Sequence, residues 1–209
     1  MTTPQEHLVA IRALVEPYAR TEPDADPKEP WAAGKQTYRS RLCAVADYAC
    51  KHWAGDFLEV GCYGGDTTIR LAGIAKAHGR RVLAVDNWRP GTEYALDTEV
   101  YPSFLKTIAP WRDVIDVLEA DCHLPETRAA ILARGPFAFV FVDDGHEDAE
   151  QLFDNVTGLM ASRGVCVVDD VFMPSTRRTI DEARVVVPGW SAALYVDRAS
   201  EAYMVREGA

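Results

Sequence analysis

With 209 residues, of which 48% are hydrophobic and 26% charged, the chain has the make-up of one globular domain with a substantial core. A formal net charge of −10 argues against a nucleic-acid backbone as the main partner. Neither a run of about 18 apolar residues nor a secretory leader pattern occurs, so a soluble cytoplasmic chain with no membrane association is expected.

Residues 5–19 place Leu8, Ile11, Leu14 and Val15 at helical spacing. The apolar face they form is a candidate surface for a second subunit, giving a homodimer or higher homo-oligomer. TEPDADPKEP (21–30) is rich in proline and acid and reads as a linker. Tyr38 to Trp53 is a second amphipathic helix with Leu42, Val45, Ala46 and Ala49 on one face, ended by Gly55. Residues 1–54 are therefore expected to form a helical appendage and lid, and residues 55–209 the main domain.

From Asp56 apolar strands alternate with helices: strand 56–61, helix 66–78, strand 80–86, a helical stretch within 93–109, strand 113–121, helix 125–134, strand 137–143, helix 147–161 and strand 164–170. Strands apolar along their whole length, joined by helices, predict a parallel sheet covered on both faces. After a helix at 175–185 the alternation breaks. Strands 191–197 and 201–207 are separated only by Arg198, Ala199 and Ser200, too short for a parallel crossover, so they form an antiparallel hairpin. The expected fold is α/β: a doubly wound, mostly parallel seven-stranded sheet with a C-terminal antiparallel hairpin, plus N-terminal helices. The cysteines (Cys43, Cys50, Cys62, Cys122, Cys166) include no CxxC pair, which speaks against a disulfide framework or a zinc site.

LEVGCYGGD (58–66) runs from the first strand into its helix. Glycines there serve plain turns and also let a ligand approach the backbone closely. The spacing is GxxGG, not GxGxxG, so a pyrophosphate is not the favoured ligand. Asp86 ends the second strand, where an acid can accept hydrogen bonds from a ribose diol. Asp121 ends the third and is followed by Cys122; an acid there can accept from an adenine amino group. Three such strand ends in succession would surround a nucleoside at the carboxyl edge of the sheet.

The next two strands also close on acids. FVFVDDGHEDAE (139–150) carries Asp143 and Asp144, and Asp169-Asp170 follow the fifth strand. Singly, such acids cap turns. Together, carboxylates crowded at neighbouring strand ends repel one another, and a hard divalent cation relieves the repulsion. Asp143, Asp169 and Asp170 are the candidate ligands, with Asp144 the alternative to Asp143. His146 is a candidate base, since a neutral imidazole can take a proton from a hydroxyl. Its other reading is a cap, or a surface histidine paired with Glu147 or Glu150. His123 follows the adenine candidate and lies near the same pocket.

In this order and spacing, LEVGCYGG, VLAVD, LEADC and FVFVDDGH resemble the class I S-adenosylmethionine-dependent methyltransferases, over roughly residues 35–207. The resemblance implies the Rossmann-like methyltransferase fold for 55–209, with S-adenosylmethionine as cofactor. It sets Glu59, Gly61 and Gly65 near the methionine part, Asp86 at the ribose, and Asp121 with Cys122 at the adenine. Cys62, Tyr63, Asn87 and Asp143 complete the implied cofactor-binding set.

The acids after the fourth and fifth strands are similar to those of the metal-dependent small-molecule O-methyltransferases, the catechol- and caffeoyl-type and antibiotic-sugar enzymes. DDGH resembles the DGDH of the sugar group with its middle residues exchanged. Catechol-type enzymes have a lysine base where the sugar group has histidine, here His146. The implied activity is O-methylation of a small hydroxylated acceptor in natural-product biosynthesis, with Mg²⁺ or another hard divalent cation. Trp31, Tyr38, Trp88, Tyr94, Tyr101 and Phe104 are candidates for a lid and acceptor pocket. The competing readings are a metal-independent or N-methylating enzyme, a nicotinamide-dependent oxidoreductase, and a non-catalytic cofactor-binding module.

Overall fold

The computed structural model describes residues 2–19, 30–88, 100–144, 163–186, 189–196 and 201–207. The elements in chain order are α1 (Pro4–Ala19), α2 (Pro30–His52), β1 (Asp56–Val60), α3 (Asp66–Ala77), β2 (Val82–Asp86), α4 (Val100–Ile108), β3 (Ile115–Glu119), α5 (Pro125–Leu132), β4 (Phe137–Val142), β5 (Gly164–Val168), α6 (Pro174–Val186), β6 (Leu194–Tyr195) and β7 (Ala202–Arg206).

The strands form one seven-stranded sheet in the order β3-β2-β1-β4-β5-β7-β6. β1 through β5 are parallel; β7 runs antiparallel to both β5 and β6. The expected C-terminal hairpin is present, with β6 reduced to two residues. Winding outward from β1 and β4 in opposite directions makes their junction the switch point of the sheet. In open α/β sheets the carboxyl side of such a junction is where ligands bind.

Alternation along the strands divides the core in two. Phe57, Ala84, Phe139, Phe141, Val165 and Val167 face one side, with Leu8, Ile11, Val15, Leu42, Val45 and Ala49 of the N-terminal helices in the same cluster. Leu58, Val60, Val85, Val140, Val142, Cys166 and Met204 face the other, with Ile131 of α5 and Ile180 of α6. β4 is buried at every position, which is why it reads as a continuous apolar run.

Two features of the N-terminal region bear on the sequence reading. Leu8, Ile11 and Val15 are covered within the chain itself, so the apolar face of α1 is not a free surface. The backbone of α2 is helical from Pro30, a residue well placed to start a helix, rather than from Tyr38. The stretch with Trp31 and Tyr38 is thus part of α2, although their side chains lie outside the described residues. The predicted helix 147–161 also lies outside them.

α3 follows from local chemistry. Thr68, Leu71, Ala72 and Ala75 make its buried stripe. It ends at Gly79, φ +66°, in a Schellman arrangement: Arg80 N–H donates to Ala75 C=O at 2.8 Å and Gly79 N–H to Lys76 C=O at 3.2 Å. Its start sets the Gly61–Gly65 loop against the sheet.

Candidate active site

The sheet ladder continues one step beyond the strands and so fixes the residues that follow them. Gly61 N–H donates to Val85 C=O, Ala120 N–H to Asp86 C=O, Asp143 N–H to Val60 C=O and Asp169 N–H to Val142 C=O, all at 2.9–3.0 Å. Asp143 and Asp169 therefore leave adjacent strands, about 4.8 Å apart in the ladder direction, at the same edge. Gly61 lies tight against this edge. Its φ is +84°, and a Cβ there would stand 2.1 Å from the Asp143 carbonyl oxygen. Only glycine lets the β1 and β4 ends come so close.

Asp86 binds the glycine loop to the end of β2. Its Oδ2 accepts from Cys62 N–H at 2.8 Å and Tyr63 N–H at 2.9 Å, and its Oδ1 from Trp88 N–H at 2.8 Å. A carboxylate has about four acceptor positions, so three bonds leave room for a further donor. A second tie runs from Trp88 Nε1–H to Tyr63 C=O at 2.9 Å. The Trp88 ring packs on Tyr101 and Phe104 at centroid distances of 4.6 and 4.5 Å. Phe104 is buried and lies directly under Gly65, where an added Cβ would meet its ring at 3.0 Å. These aromatics thus pack beneath the loop.

Among the described residues, the non-glycine positions with positive φ are Tyr63 (+43°), Trp88 (+43°) and Asp170 (+56°). All three follow strand ends on the carboxyl edge. Unfavourable backbone of this kind persists where the surroundings hold it, and functional sites are common places for it.

Beneath the loop, the Glu59 side chain is fully buried and neither carboxyl oxygen has a hydrogen-bond partner among the described residues. Burial, reinforced by the charges of Asp143 and Asp86, pushes its pKa up to about 8. Thr68 and Cys62 lie near enough to oppose this, though neither completes a hydrogen bond to the carboxyl of normal geometry. Glu59 is therefore mostly neutral at pH 7. Burial, then Glu59 and Asp86, hold the Cys62 thiol well above its ordinary range, so Cys62 is not a nucleophile.

At the β5 end, Asp169 Oδ1 accepts from Asp170 N–H at 2.8 Å. The β5–β7 register pairs Val168 with Ala202, so the next step sets Glu201 opposite Asp169. Glu201 in turn meets Arg41 of α2 in a buried bidentate ion pair. Toward β3, Asp121 Oδ1 accepts from His123 N–H at 3.0 Å. The carboxylate of Asp144 lies 3.2 Å from Cys122 Sγ and 3.5 Å from His123 Nε2. It raises the His123 pKa by hydrogen bonding and charge, against the lowering effect of burial.

The Asp144 carboxylate is thus engaged with the β3 end. Asp121, Cys122 and His123 bring ligand-type atoms within 4.8 Å of one another.

A hollow of about 600 Å³ lies at the opposite, amino edge of the sheet, lined by Asp56, Arg81, Arg112, Asp116 and Arg134 among others. Arg81 forms a bidentate pair with Asp116 there. It holds none of the chemistry described above, and the carboxyl edge is the candidate site.

A family model described as a methyltransferase domain matches residues 58–171, more than half of the chain, from within β1 to just past β5. The chain belongs to this methyltransferase-domain family. The methyltransferase is similar to the cofactor-bound Rv0187 from MTB, at 22% identity and a TM-score of 0.64, with 97% of this chain and 90% of that chain covered. Against the O-methyltransferase from Bacillus cereus in complex with SAH, identity is 20% and TM-score 0.58, covering 97% and 90%. Against the O-methyltransferase TomG from Streptomyces achromogenes, identity is 16% and TM-score 0.61, covering 100% of both chains. At these identities the likeness is one of fold, and it spans the N-terminal helices as well as the sheet.

Of the residues expected from sequence, Glu59, Gly61, Cys62, Tyr63, Gly65, Asp86, Asn87, Asp121, Cys122, Asp143, Asp169 and Asp170 all lie at or directly beneath this edge. His146, Glu147, Asp148 and Glu150 fall outside the described residues, as does Tyr94. Arg41 and Glu201 were not anticipated. The one sequence signal for them is a charged residue set into the apolar stripe of α2, one position before Leu42.

Proposed function

We propose that this methyltransferase moves the methyl group of S-adenosylmethionine onto a hydroxyl of a small molecule, with a hard divalent cation such as Mg²⁺ on the acceptor side. The observation that carries the reading is the closure of the Gly61–Gly65 loop onto Asp86 beside Asp143. It leaves an open acceptor position on Asp86 for a ribose hydroxyl and a buried carboxyl, Glu59, below a glycine-rich loop. When bound, the sulfonium supplies a reactive methyl and the cation supplies Lewis acidity toward the acceptor hydroxyl.

The chain's own residues do the rest. Asp86 and Asn87 orient the ribose, and Asp121 with Cys122 meets the adenine. Asp143, Asp169 and Asp170 are oxygen-only donors, a set that suits Mg²⁺. The engagement of Asp144 with Cys122 and His123 favours Asp143 over Asp144 as ligand. His146 receives the acceptor proton. Tyr63 and Phe172, 60% and 71% exposed on either side of the edge, offer apolar surface to an acceptor.

A net charge of −10 fits a small acceptor better than a nucleic acid. No described helix is long and apolar enough to cross a membrane. TomG, of similar fold, is involved in tomaymycin synthesis, which supports an acceptor from secondary metabolism, a sugar or a catechol-like compound.

A metal-independent enzyme is the second reading, favoured by the engagement of Asp169 Oδ1 with the Asp170 N–H. Calorimetry with S-adenosylhomocysteine, and methyl transfer to catechol and sugar-hydroxyl acceptors with and without EDTA, separate the two. Cofactor heat with EDTA-sensitive transfer, lost in Asp169→Ala, supports the proposal. Transfer that survives both EDTA and Asp169→Ala removes the cation. Absence of cofactor heat removes the whole reading.

A further inference from the structure

We infer that Cys122, His123 and Asp144, with Asp121 as the fourth member, form a second cation site, one that takes a thiophilic divalent ion such as Zn²⁺ at the ends of β3 and β4. The geometry comes from three separations: Cys122 Sγ to His123 Nε2 is 3.6 Å, Cys122 Sγ to Asp144 Oδ2 is 3.2 Å, and His123 Nε2 to Asp144 Oδ2 is 3.5 Å. Zinc bonds of about 2.3 Å to sulfur, 2.0–2.1 Å to nitrogen and 2.0–2.2 Å to oxygen, set at tetrahedral angles, require ligand–ligand edges of roughly 3.4–3.6 Å. The three atoms already form one face of such a tetrahedron, within a few tenths of an ångström.

Asp121 brings a carboxylate oxygen within 4.8 Å of both the Cys122 and His123 ligand atoms, close enough for a turn of its side chain to bring it onto the ion. Its bond from His123 N–H keeps it at the site.

The donor set decides which ion fits. A thiol, an imidazole and carboxylates select zinc or a similar transition metal over Mg²⁺, which prefers oxygen alone. This site is therefore chemically distinct from Asp143, Asp169 and Asp170. Cys122 is buried within the core that carries Val85 and Val140, so its sulfur is held in place. His123 and Asp144 keep 20% and 40% of their side-chain surface, which leaves a path for the ion to enter. Binding replaces the thiol proton now shared with Asp144, so uptake of the ion releases protons. Asp121 and Cys122 are also the residues proposed to meet the adenine, so the ion and the cofactor compete for this edge; the inference itself stands on these contacts and not on methyl transfer.

Cobalt(II), a spectroscopic stand-in for zinc, tests it on the full chain purified free of cofactor. Wild type is expected to develop a thiolate-to-cobalt charge-transfer band together with the intense visible bands of four-coordinate cobalt. Both should disappear in Cys122→Ser and persist in Asp169→Ala. His123→Asn, at a part-exposed position, guards against a folding artefact. It should weaken binding by at least the roughly 10–100-fold that loss of even an outer-shell partner costs. A wild-type chain without the band, or a band that survives Cys122→Ser, overturns the site.

Discussion

Arg41 and Glu201, 160 positions apart, form a bidentate ion pair with both N···O distances at 3.0 Å and almost no exposed surface. The pair links α2 to the start of β7, directly opposite Asp169 at the end of β5. Burial pushes the Glu201 carboxyl upward even with the guanidinium beside it. Such a pair contributes little net stability but is costly to break from one side. Its main effect is geometric, holding the N-terminal helix against the edge where Asp169 stands. Arg41→Met should destabilise the chain by roughly 3–5 kcal/mol, because Glu201 is left buried without its guanidinium. The double variant Arg41→Met/Glu201→Leu should regain most of that loss in urea unfolding. If the double variant is no better than the single one, the pair matters for more than its charges.

Gly61 supplies a second, sharper test. An alanine there needs φ near +84° and puts its Cβ 2.1 Å from a backbone oxygen that cannot swing aside. Gly61→Ala should cost more than about 4 kcal/mol, in the range that marks a specific steric conflict. Gly64, three positions on, has nothing within 4 Å of its added Cβ, and Gly64→Ala should change stability by no more than about 0.5 kcal/mol. Equal effects from the two substitutions would mean that the β1 and β4 ends do not meet as described.

How much of this was legible beforehand follows from the range of each interaction. Strands such as FAFVFV and turns such as Gly79 are written locally, so the parallel sheet, its hairpin and the strand-end acids could be read directly. Asp86 was assigned to a ribose, yet its bonds to Cys62, Tyr63 and Trp88 were not foreseen, because loop amides leave no trace in side-chain pattern. Arg41 with Glu201, and Asp144 with Cys122, depend on register and on crossings between distant elements. α2 is longer than its apolar spacing predicts, because Pro30 closes the proline-rich stretch in sequence and begins the helix in the fold.

Glu59 makes stability depend on pH with a definite sign. Its pKa rises from 4.5 to about 8 on folding, so the folded chain holds a proton that the unfolded chain gives up. The associated stability is complete below about pH 4.5 and is lost as pH rises through 8. At about 1.4 kcal/mol per unit, it amounts to a few kcal/mol. Glu59→Gln, which mimics the neutral form, should unfold at a higher temperature than wild type at pH 8 without cofactor. The two melting curves should converge toward pH 5. Parallel dependence across that interval would show that Glu59 is not the group responsible.

Asp86 separates a binding role from a structural one. Three N–H groups converge on its two oxygens, so an asparagine amide, turned either way, leaves at least one of them facing an NH₂ group. Each such loss costs about 1–3 kcal/mol where water is excluded. Asp86→Asn should therefore lower the urea midpoint of the cofactor-free chain as well as weaken S-adenosylhomocysteine. The tie from Trp88 Nε1 to Tyr63 C=O survives, so the loop should loosen without unfolding. An acid that served only the ribose would lose affinity and leave the unliganded midpoint where it was. That result would detach Asp86 from the glycine loop, and the preformed cradle for the cofactor would go with it.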